Sequence, residues 1–449
     1  TSLVDFTSLL DVNLTNAEAL SVDGQQGDDT FNVTSGDIPI AIVGGDPIGS
    51  TSSGDSLNVI AGSEDASYFP GPQGDQGSFE VGSNAEVSFS QIEVLSLDFD
   101  DTSGGNLTLA GTNADDDINV VGDGSEVDHF SFSVNAGPTI SVSDADGLTI
   151  AALAGDDDID VDVNALNLDN NVTVAGDDPS SGGGDVLTVR GGDATWTPDG
   201  SDQGTLEVSA ETSDVLSTET LIYDGEAGNV TLTVEGSAAN ADRFVHTPGA
   251  ALDSGRVQLT DLTNSTTLLG IDYENLGTDA VVHLEGQGGE DRLIALGTDG
   301  SDVFGVAGTS TITLNEQLDL TTANVESYTL QGLGGDDTFN ITPFSVPISI
   351  EGDEPGSGSD VLNVTAAGNV TVDLGEATVE DDVATASPDV SYSGIERINV
   401  VAGSNNLTVV GSDSDDTLAC LLYTSPSPRD WIWHLVCRLL LEKGGGGGG

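Results

Sequence analysis

Gly332-Leu333-Gly334-Gly335-Asp336-Asp337-Thr338-Phe339-Asn340-Ile341-Thr342 is the stretch that decides the fold. A near-copy stands at Gly24-Gln25-Gln26-Gly27-Asp28-Asp29-Thr30-Phe31-Asn32-Val33-Thr34. Looser copies begin at Gly111, Gly155, Gly286, Gly297 and Gly411. Each reads as a glycine-rich turn, an acidic pair, then an alternating strand. Glycine supplies the backbone angles of the turn, and Asp tolerates turn geometry while bonding nearby N–H groups. The Thr-Phe-Asn-Val-Thr run alternates with period two, as a half-buried strand does.

Working outward, three acidic turns are followed by a Gly-Asp-Pro-type loop and a second strand. The loops are Gly45-Asp46-Pro47, Gly176-Asp177-Asp178-Pro179 and Gly352-Asp353-Glu354-Pro355. Their strands follow at Asp55-Ser56-Leu57, Asp185-Val186-Leu187 and Asp360-Val361-Leu362. Phe31 to Leu57, Ile159 to Leu187 and Phe339 to Leu362 are similar steps, of roughly 25 residues each. A third landmark, such as Gly105-Asn106-Leu107-Thr108-Leu109, leads to Asp116 and recurs before Asp242 and Asp416. A fourth is an apolar strand carrying one glutamate (Glu93, Glu274, Glu326, Glu396), read as a strand end with a solvated acid. Asn-x-Ser/Thr triplets, as at Asn32, Asn340 and Asn363, read as the repeat's way of writing turn-to-strand.

The spacing predicts repeat units at 1–146, 147–283 and 325–418, with a compressed unit at 284–324. Glycine, Asp and Thr punctuate the chain every 8–12 residues, and no helix is expected. The fold class expected is all-β, a parallel β-helix or β-solenoid of degenerate repeats, with tandem small β-sandwiches as the alternative. A coil of roughly 20–25 residues rising about 4.8 Å would give a rod of roughly 80–100 Å.

The tail from 419 to 449 is set aside. Cys420-Leu421-Leu422-Tyr423-Thr424-Ser425-Pro426-Ser427-Pro428-Arg429-Asp430 resembles the translation of a transposase adapter from a DNA sequencing library. His434 to Lys443 resembles the flow-cell adapter that follows it, and six glycines resemble a poly-G read end. With the tail go both cysteines and the only lysine, so no disulfide framework is expected. What remains carries 5 basic against 75 acidic residues. The absence of methionine reads as a fragment of a longer chain.

Such a charge repels nucleic acid and anionic membranes. It also repels itself, so cations or salt should relieve it. There is no Gly-x-Ser-x-Gly, His-Glu-x-x-His or P-loop. His129, His246 and His283 are far apart, and Arg190, Arg243, Arg256, Arg292 and Arg397 are scattered. The chain is therefore read as non-enzymatic. The alternatives are a β-helical polysaccharide-active enzyme fragment and a halophilic surface protein without specific calcium sites.

Gly334-Gly335-Asp336-Asp337-Thr338-Phe339 and Gly288-Gly289-Glu290-Asp291-Arg292-Leu293 resemble the haemolysin-type calcium-binding repeat of large secreted or surface bacterial proteins. In that family Asp side chains and backbone carbonyls of successive turns share one Ca²⁺. The resemblance implies Ca²⁺ as cofactor and Asp28, Asp29, Asp156, Asp157, Asp291, Asp299, Asp302, Asp336 and Asp337 as ligands. This chain departs from the pattern, because its acidic turns are mostly isolated rather than tandem. The implied role is a calcium-stabilised structural or adhesin-type rod, extracellular or on the cell surface. The expected partners are cell-surface or matrix components and other domains of a longer chain, with no membrane insertion by this piece.

Overall fold

In a computed structural model, the described residues run from 3 to 413, apart from 7–9, 14, 46–53, 101–103, 124–127, 136, 165, 167, 169–170, 180–183, 210, 356–357, 385 and 387–388. The adapter-like tail and Asp416 lie outside them. The described residues are all strand, turn and loop. None forms a helix long and apolar enough to cross a membrane. They fall into two compact units, divided between Glu226 and Ala227.

In the first unit, short strands stack in parallel register, one coil on the next. Thr30–Thr34, Ser56–Gly62, Val94–Phe99 and Ile140–Ser143 align so that Phe31, Leu57, Leu95 and Ile140 are successive partners. A second stack places Ile118, Ile159, Leu187 and Leu221 in one row. The facing sheet carries Leu107, Leu148 and Val172 in another row.

The second unit repeats the design. Phe244, Leu293, Tyr328, Ile348 and Val390 form one row. Phe304, Phe339, Leu362 and Ile398 form another. In the same sheet as this second row, Leu232, Val282 and Leu320 align. This is the solenoid architecture expected from the alternation.

Period two puts every second side chain inward. Leu57, Ile159, Leu187, Leu293, Phe304, Phe339 and Leu362 are fully buried. Burying such a side chain stabilises by about 1.5–3 kcal/mol, so each coil carries its own share of the core. Like residues stack on like; the rings of Phe304 and Phe339 lie 5.1 Å apart and nearly parallel. Outward asparagines stack as well. Asn363 donates to the side chain of Asn340 at 2.9 Å, and Asn399 to that of Asn363 at 2.7 Å.

Most coils are longer than the roughly 20–25 residues expected from the sequence, which corrects that expectation. The extra length is an antiparallel insert, in which the chain doubles back before leaving one rung further on. Phe130–Val134 lies between Asp117–Gly122 and Ile140–Ser143. Gly204–Val208 lies between Ala194–Pro198 and Glu211–Leu216. Gly255–Asp261 pairs with both Asp242–Pro248 and Ile271–Glu274. The inserts also hold large aromatic residues; Trp196, on Ala194–Pro198, is fully buried. A Cβ on Gly204 would come within 2.5 Å of its ring.

Candidate functional site

The acids of the turns are sorted by the alternation itself. An acid two positions before an inward apolar residue lies on the same face of its strand, so it too points inward. Asp337-Thr338-Phe339, Asp291-Arg292-Leu293, Asp157-Asp158-Ile159 and Asp360-Val361-Leu362 all follow this pattern. The result is four columns of carboxyl groups along the inner corners of the coils.

Within a column, the backbone N–H of each Asp donates to the side-chain carboxyl of the acid one coil further on. In the first unit Asp29 donates to Asp55, and Asp55 to Glu93, both at 2.7 Å. Asp116 donates to Asp157, Asp157 to Asp185 and Asp185 to Glu219, at 2.7, 2.9 and 2.8 Å. In the second unit Asp242 donates to Asp291 and Asp291 to Glu326, both at 2.7 Å. Asp302 donates to Asp337, Asp337 to Asp360 and Asp360 to Glu396, at 2.8, 2.8 and 2.9 Å. Each column ends on a glutamate. The four glutamates are exposed, and the extra methylene lets each reach back to the last Asp amide. Glu93, Glu326 and Glu396 are exposed, as the solvated-acid reading has it, and each in addition holds a backbone N–H in place. Glu274 is exposed and belongs to none of these columns.

The glycine five positions before many of these acids is explained by space. A Cβ on Gly332 would lie 2.2 Å from Oδ2 of Asp337. The same clash recurs at 2.6 Å for Gly286 with Asp291, 2.6 Å for Gly297 with Asp302 and 2.7 Å for Gly24 with Asp29. The carboxyl occupies the place a side chain would take.

The residue after that glycine decides how the second carboxyl oxygen is treated. Thr112, Ser237 and Thr298 turn their N–H inward, donating to Oδ2 of Asp116, Asp242 and Asp302 at 2.6 Å each. Asn135 and Asn315 add side-chain donors to Asp116 and Asp302. At the other rungs the residue after the glycine has a left-handed backbone. Gln25, Asp177, Gln287, Leu333 and Asp353 have φ of 71°, 75°, 67°, 67° and 62°, and Leu153, after Ala152, has 79°. Gly45 has φ of 116°. Oδ2 of Asp29, Asp55, Asp157, Asp185, Asp291, Asp337 and Asp360 is then sealed from solvent with no hydrogen-bond partner.

A sealed oxygen with no donor disfavours ionisation. Burial pushes the carboxyls of Asp157, Asp291 and Asp337 up to about 6; the N–H each accepts pulls the other way, and neighbouring acids push up again. Burial also raises Asp185, Asp242 and Asp360.

Of the nine acids expected to bind calcium, Asp29, Asp157, Asp291, Asp302 and Asp337 belong to the inner columns. Asp28 and Asp299 are exposed on the outside of the turns. Asp156 lies outside too, donating its N–H to the carboxylate of Asp115 at 3.0 Å. Asp336 donates its N–H to Ser301 and accepts from the Gly358 amide at 2.8 Å. Adjacent acids therefore face opposite ways. The inner ones each give one oxygen to an amide; the other is sealed without a donor in Asp29, Asp157, Asp291 and Asp337 and accepts the Thr298 amide in Asp302, a poor donor set for an ion wanting 6–8 oxygens. Among the described residues, no three His, Cys, Asp or Glu converge as a metal-holding group. Sequence reasoning left out Asp55, Asp116, Asp185, Asp242, Asp360 and the terminal glutamates as site residues. The acid-x-apolar pattern was the signal that finds them.

The histidines stand apart. His246 is buried with Nε2 2.7 Å from the Tyr273 hydroxyl, and burial lowers it to about 4. His129 lies 3.4 Å from Asp144, and His283 lies 2.9 Å from the Thr321 hydroxyl. Searches of protein-family models and of curated proteins found no match to this chain.

Proposed function

We propose that the chain is a non-enzymatic structural repeat segment of a secreted or cell-surface protein, of the kind that carries adhesive or other domains. The observation that supports this reading is the carboxyl column, repeated in both units. Acids that an enzyme would converge on a reacting centre are here spent one per coil on holding the next coil in register. A hydrogen bond of this type contributes about 1–2 kcal/mol, and one recurs at each rung. The outer surface carries most of the chain's acidic side chains, suited to water and salt, among single exposed apolar residues such as Val94, Leu252 and Val303. Its partners would be matrix or cell-surface components and other domains of a longer chain.

Calcium, in this reading, acts at the outer acids Asp28, Asp156, Asp299 and Asp336, relieving repulsion on a surface dense in negative charge. The inner columns need no metal. Thermal melts followed by circular dichroism in EDTA, Ca²⁺, Mg²⁺ and NaCl at matched ionic strength test both parts. The expected result is a β signal that persists in EDTA, with a melting temperature about 5 °C lower at low salt than in Ca²⁺, equivalent to about 1–2 kcal/mol. Equal melting in EDTA and Ca²⁺ at low salt would remove calcium from the account. Loss of the β signal in EDTA would show that the columns themselves depend on metal.

A further inference from the structure

We propose that a groove on the outer face of the second unit binds a neutral saccharide. It lies across the outward side chains of Arg292–Leu296, Ser327–Gln331, Ile348–Glu351 and Val390–Ser393, and encloses about 410 Å³. The step from Tyr328 to its partner Ile348 is the shortest in this row, and no antiparallel insert lies between these two rungs.

The lining has the mixed character that sugar hydroxyls require. Arg292 supplies fixed donors, Glu290 and Glu326 supply acceptors, and the Ser327 and Ser349 hydroxyls do both. Pro347 adds a half-buried apolar ring against which the C–H face of a pyranose can lie. Arg292 is exposed in a chain with 8 basic and 77 acidic residues. Among the described residues no hydrogen bond or ion pair engages its guanidinium, whereas Arg190 and Arg256 each hold an Asp. It also stands in register beside Arg243. Two neighbouring guanidiniums repel each other, and here Asp residues take up neither one. The two glutamates keep the groove from being cationic, so a polyanion gains nothing there and is repelled by the surrounding surface. A neutral polyhydroxylated ring satisfies donors and acceptors alike. The groove's chemistry goes beyond the structural role proposed above and stands without it.

The test is saturation-transfer-difference NMR of the full chain with neutral tetrasaccharides of glucose, xylose, mannose and N-acetylglucosamine, with tetragalacturonate as the charged comparison. At least one neutral tetrasaccharide should bind. Arg292→Ala should weaken it about tenfold, the loss of one charge-assisted hydrogen bond. Ser349→Tyr, which fills the groove and leaves Arg292 in place, should weaken it as much. Arg397→Ala, an exposed arginine in another row, should bind as wild type. Circular dichroism melts confirm that the variants are folded. The proposal is overturned if no neutral sugar binds, if Arg292→Ala and Ser349→Tyr bind as wild type, or if only tetragalacturonate binds.

Discussion

Lowering the pH from 7.5 to 5 is expected to raise the melting temperature of this protein by about 5 °C, equivalent to about 2 kcal/mol on a unit of some 200 residues. The direction follows from the inner columns. Asp157, Asp291 and Asp337 titrate near 6 in the folded chain, against about 3.9 when unfolded. Between these values the folded state holds protons that the unfolded state has released. Stability from these groups is therefore fully present below about pH 4 and is lost as pH rises through about 6. General repulsion among surface carboxylates acts in the same direction, but 1 M NaCl screens it, leaving the buried contribution. Asp337→Asn separates the two further. The amide is neutral at every pH, and its NH₂ can face the Gly352 carbonyl, which lies 3.1 Å from the point where a Gly332 Cβ would sit. The variant should melt about 2 °C above wild type at pH 7.5 and level with it at pH 4, as removal of one unfavourable buried charge requires. Melting below wild type at pH 7.5, by a deficit that shrinks as the pH falls, would show that Asp337 is ionised and stabilising.

Gly332→Ala should be among the most damaging single substitutions, costing about 3 kcal/mol, as other overpacked sites do. The new methyl would lie 2.2 Å from Oδ2 and 2.9 Å from Cγ of Asp337. That carboxyl has no room to withdraw, since its other oxygen holds the Asp302 amide. Gly300→Ala provides the comparison. Its nearest atom is the Thr298 hydroxyl at 3.5 Å and it is exposed, so its cost should fall below about 1 kcal/mol. Adding Asp337→Ala to Gly332→Ala should recover part of the loss, with a coupling of about 1 kcal/mol or more by urea denaturation. Additive effects would mean that the glycine serves the turn and not the carboxyl.

The three similar steps read from the sequence are single coil steps. Phe31 pairs with Leu57, Ile159 with Leu187 and Phe339 with Leu362. Those steps were legible because an acidic turn with its inward apolar residue is followed each time by a Gly-Asp-Pro-type loop and a second Asp-x-Leu strand. The antiparallel inserts were not, because a hairpin strand and a solenoid strand share the same period. Phe130–Val134 alternates as Asp117–Gly122 does, so the pattern of neither strand distinguishes the two arrangements. Which acid of a pair turns inward was legible in principle. Asp337 stands two positions before Phe339, and Asp336 three. Reading both as equivalent turn acids merged two environments, one sealed and one wet. Glu93, Glu326 and Glu396 were read only as solvated because nothing local marks the amide they reach, which lies 35 to 38 residues earlier in the chain.

The central claim is that each inner acid fastens the amide of the acid one coil before it. Hydrogen exchange of the full chain, read by mass spectrometry on peptides containing Asp337, tests it most directly in Asp360→Ala. That variant removes the acceptor 23 residues away and leaves the Asp337 side chain intact. The account predicts that exchange at the Asp337 amide rises about tenfold or more, as loss of one buried hydrogen bond implies, while peptides around Asp157 in the other unit are unchanged. An Asp337 amide that stays as protected as in wild type would contradict it.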